Sequence, residues 1–339
     1  MLPPIVRYSS EPSRPTSGFL FALLALLLIT ACTGRQEPAR QPYVSTAPTF
    51  CTDSAYAYVA AQCAYGPRTP GSPAHDSCGA WIAEKFRALG ADVTLQQTTV
   101  RLYDGTTVPC TNIIATCQSD APKRVMFCAH WDSRPWADNS PDSAHWHQPI
   151  DGANDGASGV AVLIELARLL RQTPAQVGVD LVCFDVEDCG TPQWEDDEAL
   201  HGDRHWCLGA QYWAAHPHED GHRAEWAVLL DMVGGADSEF RQEGYSRRLA
   251  PRVLDKVWGA AHRIGLGGRF PYTQGSYVTD DHLPVNQCGI PCIDLIASDK
   301  NDGGFCATWH TPLDDLSHID RQTLADVGQT LTEVLYTEQ

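Results

Sequence analysis

The chain of 339 residues is 43% hydrophobic and 19% charged, enough for a large packed core, and no internal period of 20 to 50 residues recurs, which excludes a repeat array. Its 42 acidic residues against 24 basic ones leave a formal charge of -18. That balance opposes nucleic acid and anionic membrane surfaces; it suits a soluble protein, or one whose carboxylates include cation ligands, with most of the carboxylates read as a solvated acidic surface.

The N-terminus reads as an export signal. Arg7 and Arg14 precede an apolar run from Phe19 to Ile29, which ends in Thr30-Ala31-Cys32. The run is shorter than the roughly 17 to 25 residues of a membrane span. Residues 1–31 are therefore expected to be removed, and small residues directly before a cysteine resemble a bacterial lipobox, with Cys32 as the lipidated first residue. Residues 32–49, rich in Pro, Gln and Ala, read as a flexible tether, and 50–339 as one catalytic domain. Membrane contact is then expected only through the lipid anchor, most simply on the periplasmic side. Thirteen cysteines, or twelve without Cys32, permit disulfides in an exported chain. Cys128 and Cys183, inside apparent core strands, read equally well as buried thiols.

Thr52 to Tyr65 and Pro73 to Leu89 are predicted helices, the second closed by Gly90. ADVTLQQTTV, a turn at Asp104-Gly105 and TNIIATC follow as antiparallel edge strands. RVMFCAH (124–130) and VDLVCFDVED (179–188) are short apolar strands, with a helix from Val160 to Arg171 between them. AEWAVLLDMVG (224–234) is another strand, Pro251 to Ile264 a helix, IPCIDLIA (290–297) a strand and Arg321 to Tyr336 a closing helix. The alternation predicts a three-layer α/β/α sandwich with a mostly parallel central sheet. Sites in such sheets lie beyond the carboxyl ends of the strands.

Polar residues collect at those ends: His130 and Asp132 from AHWD, Glu187 and Asp188 from DVED, Asp231 from LLDMVG. Loops add Asp155 and His310. Any one of these is ordinary, but imidazoles and carboxylates converging on one sheet edge predict a first-row divalent metal site, most plausibly zinc. In DGANDGASG (151–159) the small residues let a tight loop approach the metal, while Asp155 reads both as a ligand and as an N-cap for the helix that follows. Glu187 and Asp188, adjacent as they leave a strand, point different ways, so one can hold metal while the other moves a proton. Asp132 has the spacing to engage the second nitrogen of His130.

At these residues the sequence resembles the zinc aminopeptidase family M28, and within it the glutaminyl-peptide cyclotransferases. The resemblance rests on AHWDSRPWAD (129–138), DGANDGASGVAVLIELARLL (151–170), FDVEDCG (184–190), LLDMVG (229–234), DDHLP (280–284) and TWHTPLDD (308–315). It implies a zinc-exopeptidase-like fold, one catalytic zinc held by Asp155, Asp188 and His310, and Glu187 as the proton-shuttling group. It also implies Asp231 and Asp281 in an active-site hydrogen-bond network, and aromatic walls from Trp194, Trp309 and Phe305. The implied reaction closes an N-terminal glutamine of a peptide or protein to pyroglutamate, with release of ammonia. Asp280-Asp281-His282 departs from the Ser-Asp-His common in aminopeptidases, which favours the cyclases. His130 and Asp231 nevertheless complete a two-zinc aminopeptidase ligand set, so aminopeptidase activity is the alternative and His130 and Asp132 stand either in support of the first metal or at a second.

Overall fold

The computed structural model describes residues 43–301 and 303–338; the expected signal segment and Cys32 lie outside them. The packed domain reaches back into the expected tether. Ser45 donates to Glu333 at 2.5 Å, the Pro48 carbonyl accepts from Gln329, and Phe50 is buried.

Helices α1 (Thr52–Cys63) and α2 (Pro73–Ala88) lead into strands β1 (Asp92–Arg101), β2 (Thr107–Cys117) and β3 (Arg124–His130). Helix α3 (Ala157–Gln172) connects to β4 (Gly178–Phe184), and α4 (Leu208–Ala215) precedes β5 (Ala227–Asp231). A two-residue strand β6 (Ser238–Glu239), α5 (Gly244–Leu249), α6 (Pro251–Arg263) and α7 (His282–Gln287) come next. The chain then forms β7 (Cys292–Ile296), β8 (Ser298–Asp299) and α8 (Arg321–Thr337). The main sheet runs β1-β2-β4-β3-β5-β7. β1, β2 and β4 pair antiparallel, whereas β4, β3, β5 and β7 are parallel neighbours.

Successive side chains of a strand face opposite sides, and here both sides are covered. Val125, Phe127 and Ala129 of β3 join the core formed with α1, α3, α6 and α8, while Met126 and Cys128 join the one formed with α4 and α7. β4 and β5 divide in the same way, which gives the three-layer sandwich with a mostly parallel sheet. The run 179–188 is shorter as a strand than its composition suggests, because β4 stops at Phe184 and leaves Asp185 to Asp188 in the loop beyond the sheet. Among the described residues, the twelve cysteines are all unpaired, with Cys128 and Cys183 buried.

Candidate active site

The parallel strands β4, β3 and β5 end side by side, and their last residues open the site. His130 closes β3 at 1% exposure, and Asp231 closes β5 at 7%. Asp155 arrives from the loop before α3. Its Oδ1 lies 2.8 Å from His130 Nε2 and its Oδ2 3.7 Å from His310 Nε2, so the two oxygens face different imidazoles. His310 Nε2 is also 3.1 Å from Asp188 Oδ1, and His130 Nε2 is 3.3 Å from Asp231 Oδ1.

Two triads result, Asp155-Asp188-His310 and His130-Asp155-Asp231, each with its donor atoms within 4.8 Å of one another. Both are buried. Asp188 Oδ2 is buried without any hydrogen-bond partner, an arrangement that is costly for a carboxylate unless a cation completes it. Imidazole and carboxylate donors at this spacing fit zinc.

The loop's small residues have a direct steric reason. A Cβ on Gly156 would lie 2.4 Å from the His130 carbonyl oxygen and 2.5 Å from its Nε2, so only glycine lets this turn pass the imidazole. The N-cap of α3 is Gly156 and carries no side-chain cap bond, so Asp155 does not cap the helix and both its oxygens remain available. Asp314, which sequence reasoning passed over, holds the loop from behind by accepting from the Asn154 and Asp155 amides at 2.7 and 3.1 Å. Burial, and then the Asp155 carboxylate, push the Asp314 carboxyl up to about 8.

Asp132 serves a broader purpose than its spacing suggests. Its two oxygens accept from the Glu187 and Asp188 amides, both at 3.1 Å, and so set the direction in which those side chains leave the sheet. Its contact with His130 Nδ1 is longer, at 3.5 Å, beyond a well-made hydrogen bond. Glu187 faces the cleft and is 8% exposed. Burial first, then the neighbouring Asp280 carboxylate, hold its carboxyl well above the usual range.

An Arg134-Asp138 pair, also missed in the sequence, clamps the first triad. Arg134 donates to both oxygens of Asp138 at 2.8 and 2.6 Å and reaches Asp188 Oδ1 at 3.3 Å. Asp138 Oδ1 in turn lies 3.5 Å from His310 Nδ1. The guanidinium sits between the Trp136 and Trp206 rings, 5.3 and 4.8 Å from their centroids, at 1% exposure. A single buried cation thereby reaches one carboxylate of the triad directly and holds Asp138 beside the His310 imidazole, at a distance longer than a well-made hydrogen bond. Arg134→Ala and Asp138→Asn are each expected to weaken zinc binding by roughly 10- to 100-fold, read by competition with a chromogenic chelator. Unchanged affinity in both variants would remove this role.

The cleft, about 310 Å³, is lined by Asp155, Glu187, Asp188, Asp231 and His310, with Trp206, Trp309 and Phe305 as walls. The His310 ring stacks on Trp309 at 3.8 Å and lies parallel to Trp206, with centroids 6.3 Å apart. Trp194 is not among the walls. It packs with Trp136 and Trp146, at 5.9 and 6.3 Å, in a half-exposed aromatic group, and Trp206 lines the pocket instead. The cause is backbone pairing at the end of the 190–206 loop. Cys207, Leu208 and Gly209 donate to the carbonyls of Glu187, Val186 and Asp185, which returns Trp206 to the level of Asp188. Asp281 likewise stands back from the cleft. It is fully buried with both carboxylate oxygens unpartnered, while its neighbour Asp280 lines the pocket beside Glu187.

Residues 112–335 match the model of peptidase family M28. Among solved structures, the chain is 47% identical to Bacteroides thetaiotaomicron glutaminyl cyclase, solved bound to N-acetylhistamine, over 86% of this chain and 100% of that one, with a TM-score of 0.85. It is 44% identical to a Zn-dependent exopeptidase from Parabacteroides distasonis, over 86% and 100%, with a TM-score of 0.83. Among curated proteins, glutaminyl-peptide cyclotransferase of Bos taurus is 26% identical over 291 residues, 78% of this chain and 76% of that protein. From a doubly covered parallel sheet to carboxylates and imidazoles gathered at its strand ends, the fold and the sequence agree that this chain belongs to peptidase family M28.

Proposed function

We propose that the protein is a zinc-dependent glutaminyl-peptide cyclotransferase, which converts the N-terminal glutamine of peptides and proteins to pyroglutamate and releases ammonia. The observation that carries this reading is the 47% identity to a glutaminyl cyclase along that protein's whole length. The site geometry supports it. Asp155, Asp188 and His310 would hold the metal. Bound zinc supplies Lewis acidity toward the γ-carbonyl of the substrate glutamine.

The remaining work falls to the chain's own groups. Glu187, close to those ligands but outside their triad, accepts a proton from the attacking α-amine at its carboxylate and returns it to the departing ammonia. Its raised affinity for a proton suits both halves of that exchange. Asp231 and Asp280 border the same cleft, where their carboxyl oxygens can accept hydrogen bonds from the substrate's α-amine. No water is consumed, and the walls of Trp206, Trp309 and Phe305 limit its access.

The second triad, His130-Asp155-Asp231, favours an aminopeptidase as the second reading, since a dinuclear site could activate water against the first peptide bond. Two substrates separate the readings. A Gln-initiated peptide should lose ammonia with its peptide bonds intact, while Leu-p-nitroanilide should remain uncleaved. Hydrolysis without cyclisation would reverse the assignment and make His130 and Asp231 metal ligands.

The signal-like N-terminus supports an exported lipoprotein anchored through Cys32, acting from the periplasmic side on N-terminal-Gln peptides. Among the described residues no helix is long and apolar enough to cross a membrane. Cells fed radiolabelled palmitate should label the wild type and not Cys32→Ala; equal labelling would exclude this anchor.

A further inference from the structure

We propose that Glu187, Cys207 and Asp280 form a separate cation site in the cleft floor, which takes a thiophilic divalent ion such as excess zinc and, by occupying Glu187, inhibits the enzyme. One carboxylate oxygen from each acid and the Cys207 Sγ all lie within 4.8 Å of one another. Sγ is 3.4 Å from Glu187 Oε1. Two ligands on one tetrahedral zinc, with Zn–S at roughly 2.3 Å and Zn–O at roughly 2.0 Å, stand about 3.5 Å apart. The Cys207–Glu187 pair already stands at that ligand spacing, with an Asp280 oxygen within 4.8 Å of both.

A second, independent observation points to a ligand. Asp280 is 3% exposed, its Oδ1 accepts from the Asp281 amide at 2.6 Å, and its Oδ2 has no hydrogen-bond partner. A buried carboxylate oxygen left over in this way is an acceptor awaiting a proton donor or a cation. Access is available from two sides. Glu187 and Asp280 line the main cleft, and Cys207 and Asp280 line a neighbouring pocket with Asp203 and Thr279.

The donor set shares no residue with either catalytic triad, and its thiolate distinguishes it from both, which contain only imidazole and carboxylate. One sulfur with two carboxylates selects zinc or cadmium over magnesium or calcium. Binding forms the S–metal bond as the thiol proton leaves to buffer, with no change of oxidation state. The backbone bond from the Cys207 amide to the Glu187 carbonyl, 3.0 Å, ties thiol and glutamate together whether or not an ion is present. Ion binding stands on this geometry alone; the inhibition rests on the proton-shuttle role of Glu187.

The test titrates the zinc-loaded protein with cadmium and follows cadmium–thiolate charge-transfer absorption in the ultraviolet, with inhibition by excess zinc measured in parallel. Cadmium that exchanges into the catalytic triad meets no cysteine and gives no such band. The wild type should develop the band and Cys207→Ser should not. Inhibition by zinc should weaken about tenfold or more in that variant, relative to its own uninhibited rate. Absence of the band in the wild type, or an equal band in Cys207→Ser, would overturn the site. If Cys207→Ser does not fold, Asp280→Asn keeps the thiol and must weaken cadmium binding; unchanged affinity there overturns the site equally. A cysteine-dependent band with activity untouched would leave the site standing and remove Glu187 from proton transfer.

Discussion

Glu187→Gln should retain its zinc and lose nearly all turnover. Glutamine matches glutamate in size, and Glu187 lies outside the Asp155-Asp188-His310 triad, so the metal should bind as before. What disappears is a group able to take a proton and give it back. Burial and the Asp280 carboxylate both favour the protonated state of Glu187, so the proton captured from the amine stays at hand for the leaving ammonia. General acid–base groups typically contribute roughly 100- to 10,000-fold, and here one residue serves both halves of the reaction, so kcat should fall toward the upper end. Metal content and single-turnover kinetics on a Gln-initiated peptide check this; a variant with zinc and normal turnover would remove the acid–base assignment.

His310→Ala should lose metal and activity together. The imidazole stacks on Trp309 and lies parallel to Trp206, and its Nε2 faces Asp188 and Asp155 at 3.1 and 3.7 Å. Its removal leaves two buried carboxylates, Asp155 and Asp188, without the neutral donor that makes the triad a metal site. The loss of zinc affinity should exceed the roughly 100-fold ceiling expected for the supporting Arg134-Asp138 pair, because a direct ligand is gone. Retained stoichiometric zinc, measured by elemental analysis after dialysis against a weak chelator, would mean that His310 is not a ligand. Stripping the wild type with a strong chelator should reproduce the inactivity, and added zinc should restore it; the variant should not respond.

The legible part of the site followed from position along the chain. Residues immediately after a parallel strand must emerge at the sheet's carboxyl edge, so His130, Asp231, Glu187 and Asp188 could be grouped by counting strands. The small residues before α3 likewise announced a close approach, and Gly156 against His130 is that approach. The strands could be recognised because two covered faces demand continuous apolar runs, as in Leu181 to Phe184.

Other features had no local signal. Trp194 and Trp206 both lie between β4 and α4, and their spacing from Asp188 cannot say which returns to the pocket; the pairing of 207–209 with 185–187 decides it. Asp314 beneath the Asp155 loop and Arg134-Asp138 behind His310 are contacts between segments more than 150 residues apart, and the choice of Asp280 over Asp281 at the cleft depends on how the chain enters α7. By itself, then, the sequence determined the layers of the fold, the edge of the sheet where chemistry collects and the residue types gathered there, because hydrophobic period and strand order are local properties. Only the tertiary structure decided which aromatic rings form the walls, which buried groups orient the ligands and which acid stands beside Glu187, because those depend on loop closure and on contacts between distant segments that no local pattern encodes.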